Sequence, residues 1–299
     1  MQIAPIALFV YNRPQHVRYC VESLQKNLLS GESELFIFSD GAKSPDQEES
    51  VSAVRKYIRN IQGFKQIHII EHSENKGLAS SIISGVTDLV NRYGRIIVLE
   101  DDLVFSPWFL TFMNEALEIY KDEADVVNIN AHLLKGKKPF PETFLIRFAN
   151  SWGWGTWKRG WDLFEPDGQK LLSELEARNL TREFDFGGAY HFTRMLREQI
   201  AGKNNSWAIR WNASIFLRGK LSLNAGRSLV TNGGFDGSGT HCDAYELFTT
   251  QLYDGIVNIE KKRILTEDKD AREMLARIYR FDNSYYNKIR VRLLKLLHR

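Results

Sequence analysis

Over its first 130 residues the chain alternates short apolar runs with amphipathic stretches, the pattern of successive β-α units around a largely parallel sheet. Residues 3–10, 34–39, 66–71, 95–99 and 125–129 read as strands, and the segments after Pro14, Asp46, Gly77 and Pro107 read as helices. Each of the first four strands runs into polar or glycine-rich residues: Tyr11-Asn12-Arg13, Asp40-Gly41, Asn75-Lys76-Gly77 and Glu100-Asp101-Asp102. Open α/β sheets bind ligands beyond the carboxyl ends of their strands, so four polar ends together suggest a nucleotide site. Neither GxGxxG nor GxxxxGK[ST] occurs, which disfavours a dinucleotide-binding fold and a P-loop NTPase.

With 299 residues, 43% hydrophobic and 26% charged, the chain can bury a sizeable core. A net charge of +3, with acids and bases interspersed, gives no footprint for nucleic acid. Cys20 and Cys242 are the only cysteines and form no metal or disulfide framework, which suits a reducing cytoplasm. The opening MQIAPIALFVYNRP lacks the charged leader and apolar stretch of a signal peptide, and no run is long enough to span a bilayer. The expected setting is therefore cytoplasmic.

From about residue 140 the composition turns to Trp, Gly and Asn, in SWGWGTWKRGWDLFEPD and NNSWAIRWNASIF, ending in TNGGFDGSGTHC. The expected organisation is one domain over 1–245, with a nucleotide-binding half (1–130) and an acceptor-binding half (131–245), followed by a helical extension over 246–299. In its last stretch Lys288, Arg292, Lys295 and Arg299 share one helical face beside Tyr285, Ile289, Leu293 and Leu296. Such a helix over 284–299 rests on an anionic membrane or packs on the domain with its basic face outward.

The acidic triplet is the strongest local signal, because a buried-type strand delivers three adjacent carboxylates at its end. Their mutual repulsion raises their pKa values at a cost that a divalent cation removes. Hard oxygen ligands favour Mg2+ or Mn2+, which bridge to diphosphate oxygens. A solvated acidic turn is the plainer reading of the same residues.

The ordered set of VYNRP on the first strand, SDG on the second, ENKGLASS after the third and strand-EDD on the fourth resembles the family-2-like GT-A glycosyltransferases. Within that group it is similar to the inverting N-acetylglucosaminyltransferases of N-glycan branching and to bacterial surface-polysaccharide sugar transferases, over about residues 3–245. The resemblance implies a metal-dependent transfer of sugar from a nucleoside-diphosphate sugar to a glycan or lipid-linked acceptor. It implies that Tyr11, Asn12 and Arg13 lie along the nucleotide, that Asp40 accepts hydrogen bonds from the base, and that Asn75 and Lys76 approach ribose and diphosphate. Glu100 and Asp101 would contact sugar and ribose hydroxyls, with Asp102 the metal ligand and His241 completing the metal shell.

Trp154 and Trp157 are the expected acceptor wall, since aromatic faces pack on the apolar faces of sugars. The segment expected to carry the general base, Trp207-Ala208-Ile209-Arg210-Trp211, has no carboxylate. Asp236, in the glycine-rich loop, and Asp162, beside the tryptophans, are the substitutes. Competing readings are a nucleotidyltransferase, which would carry a Gly-rich basic loop after the first strand, and a noncatalytic nucleotide- or carbohydrate-binding module.

Overall fold

The computed structural model describes residues 1–233 and 250–284. Strands β1 (Ile6–Val10), β2 (Glu34–Ser39), β3 (Gln66–Glu71) and β4 (Arg95–Glu100) alternate with helices α1 (Pro14–Gln25), α2 (Glu48–Ile58) and α3 (Leu78–Tyr93). Then come β5 (Leu103–Phe105), α4 (Phe109–Ile119), β6 (Val126–Asn130), β7 (Thr143–Ile146) and β8 (Trp154–Trp157). Helices α5 (Lys158–Trp161), α6 (Gly168–Ala177), α7 (Thr181–Phe184), α8 (Phe192–Ile200) and α9 (Trp207–Leu217) precede β9 (Leu221–Ala225), β10 (Val230–Asn232) and α10 (Lys269–Asp282). The four early strands and four early helices lie where the alternation predicts them, and the fold is α/β of the GT-A type.

Eight strands form one sheet in the order β3-β2-β1-β4-β8-β6-β9-β7, and β5 pairs with β10 in a separate antiparallel ribbon. β1 to β4 are parallel, β8 lies antiparallel between β4 and β6, and β7 is antiparallel to β9. Strand period explains the layers. Ile6, Leu8 and Val10 of β1 join Val17, Val21, Val54, Met113 and Leu117 of α1, α2 and α4 on one face. Ala7 and Phe9 point the other way, to Ile82, Val86 and Leu89 of α3. Burying each large apolar side chain contributes roughly 1.5–3 kcal/mol, so a one-residue slip in β1 would cost several such contributions at once. Gly85 lets α3 approach this closely: a Cβ there would lie 2.9 Å from the Phe9 ring.

A second core gathers Leu171, Leu175, Phe184, Phe192, Leu196 and Phe216 of α6 to α9 with Ala271, Leu275, Ala276 and Tyr279 of α10. The described part of the expected extension is thus packed into the domain. Val257 sits in the core of the first face, and the Tyr253 amide donates to the Ser228 carbonyl at 2.8 Å. Arg147, half-buried, holds α10 in place through Glu267 at 3.0 Å and through Glu183. Among the described residues no helix is long and apolar enough to cross a membrane.

Candidate active site

The carboxyl ends of β1, β2, β3 and β4 share one edge of the sheet because all four run the same way. Phe9 pairs with Glu100 in register, which sets the residues after β1 against the acidic end of β4. Pro14 opens α1 at its first turn, and Arg13 before it is kept out of helical conformation, so the chain turns out of β1 with the Arg13 side chain turned to the carboxylates. The Arg13 guanidinium donates to the Asp101 carboxylate and, at 3.3 Å, to Asp102 Oδ2. Asp101 Oδ2 also accepts from the Tyr11 amide at 3.4 Å.

Three carboxylates against one guanidinium leave this strand end short of positive charge. Burial pushes the Asp101 carboxyl up to about 6, although Arg13 pulls the other way. Desolvation, then Asp102 and Asp101, push the Glu100 carboxyl above the usual carboxylate range. Asp102 is the most open of the two Arg13 partners, with its side chain 15% exposed against 6% for Asp101. Its backbone carbonyl accepts from the Gly233 amide at 2.7 Å, which continues the β5–β10 ribbon to the acidic triplet.

Asp40 does something the sequence does not reveal. Its carboxylate accepts three backbone N–H groups, from Gly41 at 3.0 Å and Lys76 at 2.9 Å on Oδ1 and from Gly77 at 2.8 Å on Oδ2. The Asn75 side-chain Nδ2 donates in return to the Gly41 carbonyl at 2.8 Å. The two loops approach so closely that a Cβ on Gly41 would lie 2.5 Å from the Glu74 carbonyl carbon. Asp40 therefore shapes the loops that follow β2 and β3 with most of its acceptor capacity. Arg55 of α2, which carries no motif in the sequence, donates to the carbonyls of Asp40 at 3.2 Å and His72 at 2.6 Å. The Tyr11 hydroxyl is held by Gln47 and by the Lys43 amide at 2.9 Å. Asn12 is half-buried at the same edge, and the Lys76 side chain is exposed there.

Three expectations are corrected. Trp154 is 1% exposed, stacked on Trp207 at 5.3 Å and packed against Trp161 and Trp211, so it has no face to offer a sugar. Trp157 is buried too, donating from its indole to the Leu117 carbonyl at 3.2 Å. The direction of β8 carries the reason: Val98 pairs with Trp154 but Arg95 pairs with Trp157, so β8 ends at the amino edge of the sheet. Asp162 follows at that far edge, its side chain 54% exposed and paired with Lys158 at 2.6 Å, away from the acidic triplet. Asp236 and His241 lie outside the described residues.

The aromatic that does reach the site edge is Trp152, half-buried and two residues before β8. Val98, Trp154 and Asn130 lie abreast across β4, β8 and β6, which puts Trp152 and His132 level with Glu100. Trp152 meets the His132 ring edge-on at 4.6 Å, and its amide donates to Asn150 Oδ1 at 3.1 Å. The Asn150 amide group then donates to His132 Nδ1 at 2.8 Å, leaving Nε2 to carry the proton toward Thr250 Oγ1 at 3.1 Å. Burial holds His132 neutral, its pKa down at about 3. A polar residue two positions past β6, on the same edge as the acidic triplet, was the available signal for His132. The first turn of α9, bearing Trp207 and Ala208, also faces this edge, since α9 ends beside the start of β9 at the amino edge and Trp207 packs on Trp154.

No curated protein matches the chain. Among solved structures, a mannosyltransferase, PcManGT from Pyrobaculum calidifontis in complex with GDP-Man and Mn2+, is similar at 9% identity and a TM-score of 0.42, over 73% of this chain and 69% of that one. TarS 1-349 from S. aureus is similar at 15% identity and a TM-score of 0.36, over 54% of this chain and 47% of that one. The family described as "Glycosyl transferase family 2" matches residues 6–199, which include the acidic triplet, Arg13, Asp40 and Trp152. The chain belongs to glycosyl transferase family 2.

Proposed function

We propose that this glycosyltransferase moves a sugar from a nucleoside diphosphate to an acceptor hydroxyl, with inversion and with the help of Mn2+ or Mg2+. The observation that carries the reading is the buried acidic end of β4 facing Arg13, between β1 and α1, beside loops shaped by Asp40. The nucleotide lies over residues 11–13, 40–41 and 75–77, with Arg13 and Lys76 toward the diphosphate and Glu100 and Asp101 toward sugar and ribose hydroxyls.

The residues present fit a hard divalent cation. Three carboxylates stand at this strand end against one guanidinium, which pairs with Asp101 and Asp102; among the described residues no group of three or more His, Cys, Asp or Glu is placed to hold a metal ion by itself, so a cation would rest on one or two of them. Such an open site suits Mg2+ or Mn2+, which take one or two carboxylates and fill their remaining positions with phosphate oxygens and water. Asp102 is the ligand, with His241 a second. The cation, when bound, stabilises the charge that develops on the departing diphosphate.

Asp236 accepts the proton of the acceptor hydroxyl as its oxygen bonds to the anomeric carbon and the diphosphate oxygen leaves with the electron pair. Trp152, not Trp154 or Trp157, offers the acceptor an aromatic face. The acceptor is a glycan or a lipid-linked sugar of surface-polysaccharide synthesis, met on the cytoplasmic side of the membrane. The test is thermal shift with a panel of nucleotide sugars. A donor at about 100 times its Kd raises stability by about 2.7 kcal/mol. The expected result is a shift that needs Mn2+ and is lost in Asp102→Asn. An equal shift in EDTA, or none with any nucleotide sugar, overturns the reading.

A further inference from the structure

Directly past His132, at the carboxyl edge of β6, the chain carries Lys135, Lys137 and Lys138, all exposed and, among the described residues, in no ion pair. α10 runs toward this same loop. It starts where the Asp268 amide bonds the Leu145 carbonyl, and its far end packs on the loop: a Cβ on Gly136 would lie 3.3 Å from Ile278 Cδ1 and 3.2 Å from the Phe140 ring.

At that end sits Phe281, 41% exposed on a helix whose Ala271, Leu275, Ala276 and Tyr279 are buried. Lys137 Nζ lies over its ring at 5.7 Å. Arg277 and Arg280 stand on the exposed side of the same helix, sharing one acid, Glu273. The chain then leaves the described residues at Ser284 into 285–299, whose sequence holds Lys288, Arg290, Arg292, Lys295 and Arg299 and no acid. Cations around an exposed aromatic side chain are what an anionic membrane interface selects: the ring enters the headgroup boundary while the lysines stay at the phosphates.

We infer that Lys135, Lys137, Lys138 and Phe281 form a docking face for an anionic bilayer, on the edge of the sheet that carries the acidic triplet. The docking stands apart from the proposed transfer reaction; only its use, presenting the site to a lipid-linked acceptor, rests on that reading. It differs from contact through 284–299 alone, because the cations that touch the lipid first belong to the folded domain. Nucleic acid fits less well, since the patch has one aromatic at a helix end and no row of stacking faces.

The test is co-sedimentation of the full chain with vesicles of phosphatidylcholine alone or mixed with phosphatidylglycerol, at low and high salt. The expected result is binding to the anionic vesicles only, weakened by salt. The variant Lys135→Ala/Lys137→Ala/Lys138→Ala should lose on the order of 100-fold in partition, from about 1 kcal/mol per cation. Phe281→Ser should lose roughly 10-fold. Removing the same charge elsewhere, in Lys56→Ala/Lys203→Ala/Lys269→Ala, should leave partition unchanged, and the first triple variant should keep the wild-type melting temperature and its transfer to a soluble acceptor. Binding that survives the first triple variant, equal binding to neutral vesicles, or no vesicle binding at all overturns the proposal. Duplex DNA or RNA binding that depends on the same three lysines while vesicle binding does not overturns it as well.

Discussion

Asp40→Asn and Asp40→Ala separate two jobs that one carboxylate could have. In the structure Asp40 is 6% exposed and accepts from the amides of Gly41, Lys76 and Gly77. Asparagine has the same shape but only one acceptor oxygen. It can keep the two bonds on the Oδ1 side, and its amide then meets the Gly77 N–H donor to donor. A hydrogen bond to a charged group contributes about 1.5–3 kcal/mol, so Asn should cost about that much. Alanine abandons all three donors, and with water reaching part of the loop the expected loss is about 3–5 kcal/mol.

For a chain of this size each kcal/mol moves the melting temperature by roughly 2 °C, giving a fall of roughly 3–6 °C for Asn and 6–10 °C for Ala. The assay is urea unfolding with and without nucleoside diphosphate, beside calorimetric titration of the same nucleotide. Loss of stability and of affinity in proportion identifies Asp40 as the staple that shapes the loops. A nucleotide affinity that falls while stability is unchanged returns Asp40 to direct contact with the base. Stability within about 1 kcal/mol of wild type in Asp40→Ala refutes the staple altogether.

Three further outcomes follow from the same geometry. Arg13→Met leaves Asp101 and Asp102 without their guanidinium; in EDTA it should cost about 2–3 kcal/mol, the low end for a partly exposed pair, and Mn2+ should recover most of it, whereas no recovery in urea melts would place the cation elsewhere. Trp152→Leu should fold normally and lower transfer with a rise in acceptor KM, while Trp154→Leu should lose about 3 kcal/mol of stability, and equal effects in both would remove Trp152 from the acceptor side. His132 titrates near 3 in the folded state and at its ordinary 6.5 when unfolded, so the unfolded chain binds the extra proton. Its contribution is present above pH 6.5 and is lost as pH falls toward 3, by on the order of 5 kcal/mol at most; His132→Asn should flatten that part of the stability profile, and an unchanged slope would show that His132 is not the group.

The β-α units of the first 130 residues were legible because their physics is local. In β1, β2 and β4 a buried parallel strand needs apolar residues on both faces and must end where polar residues begin, and both marks are in the sequence. Arg13 against Asp101 and Asp102 follows once β1 and β4 are neighbours, since Asp101 and Asp102 are the first two residues past β4 and Arg13 stands three past β1. The Asp40 bonds were not legible, because a carboxylate that caps a neighbouring loop and one that waits for a ligand have the same sequence.

The Trp-rich segment turns on a single fact that composition does not hold, the direction of β8. Trp-Gly-Thr-Trp is equally good strand sequence in either direction, for alternation is symmetric under reversal. Run parallel to β4, it would have brought Trp157 and Asp162 to the acidic triplet. Run antiparallel, as it is, it sends them to the opposite edge and leaves Trp152 at the site. The glycines around it show how closely its neighbours pack. Gly153 adopts φ +65°, which turns the chain into β8 with Val230 2.7 Å from where a Cβ would stand. Gly155 faces Met113 at 2.9 Å and Gly160 faces Thr156 and Val127 at 2.6 Å. Each is a place where α4, β6 or β10 presses on the segment too closely for a side chain. Gly153→Ala should therefore do more than strain one residue. By displacing the turn beside Trp152 it should lower transfer as well as stability, and a variant that melts several degrees lower yet transfers sugar at the wild-type rate would detach Trp152 from the site.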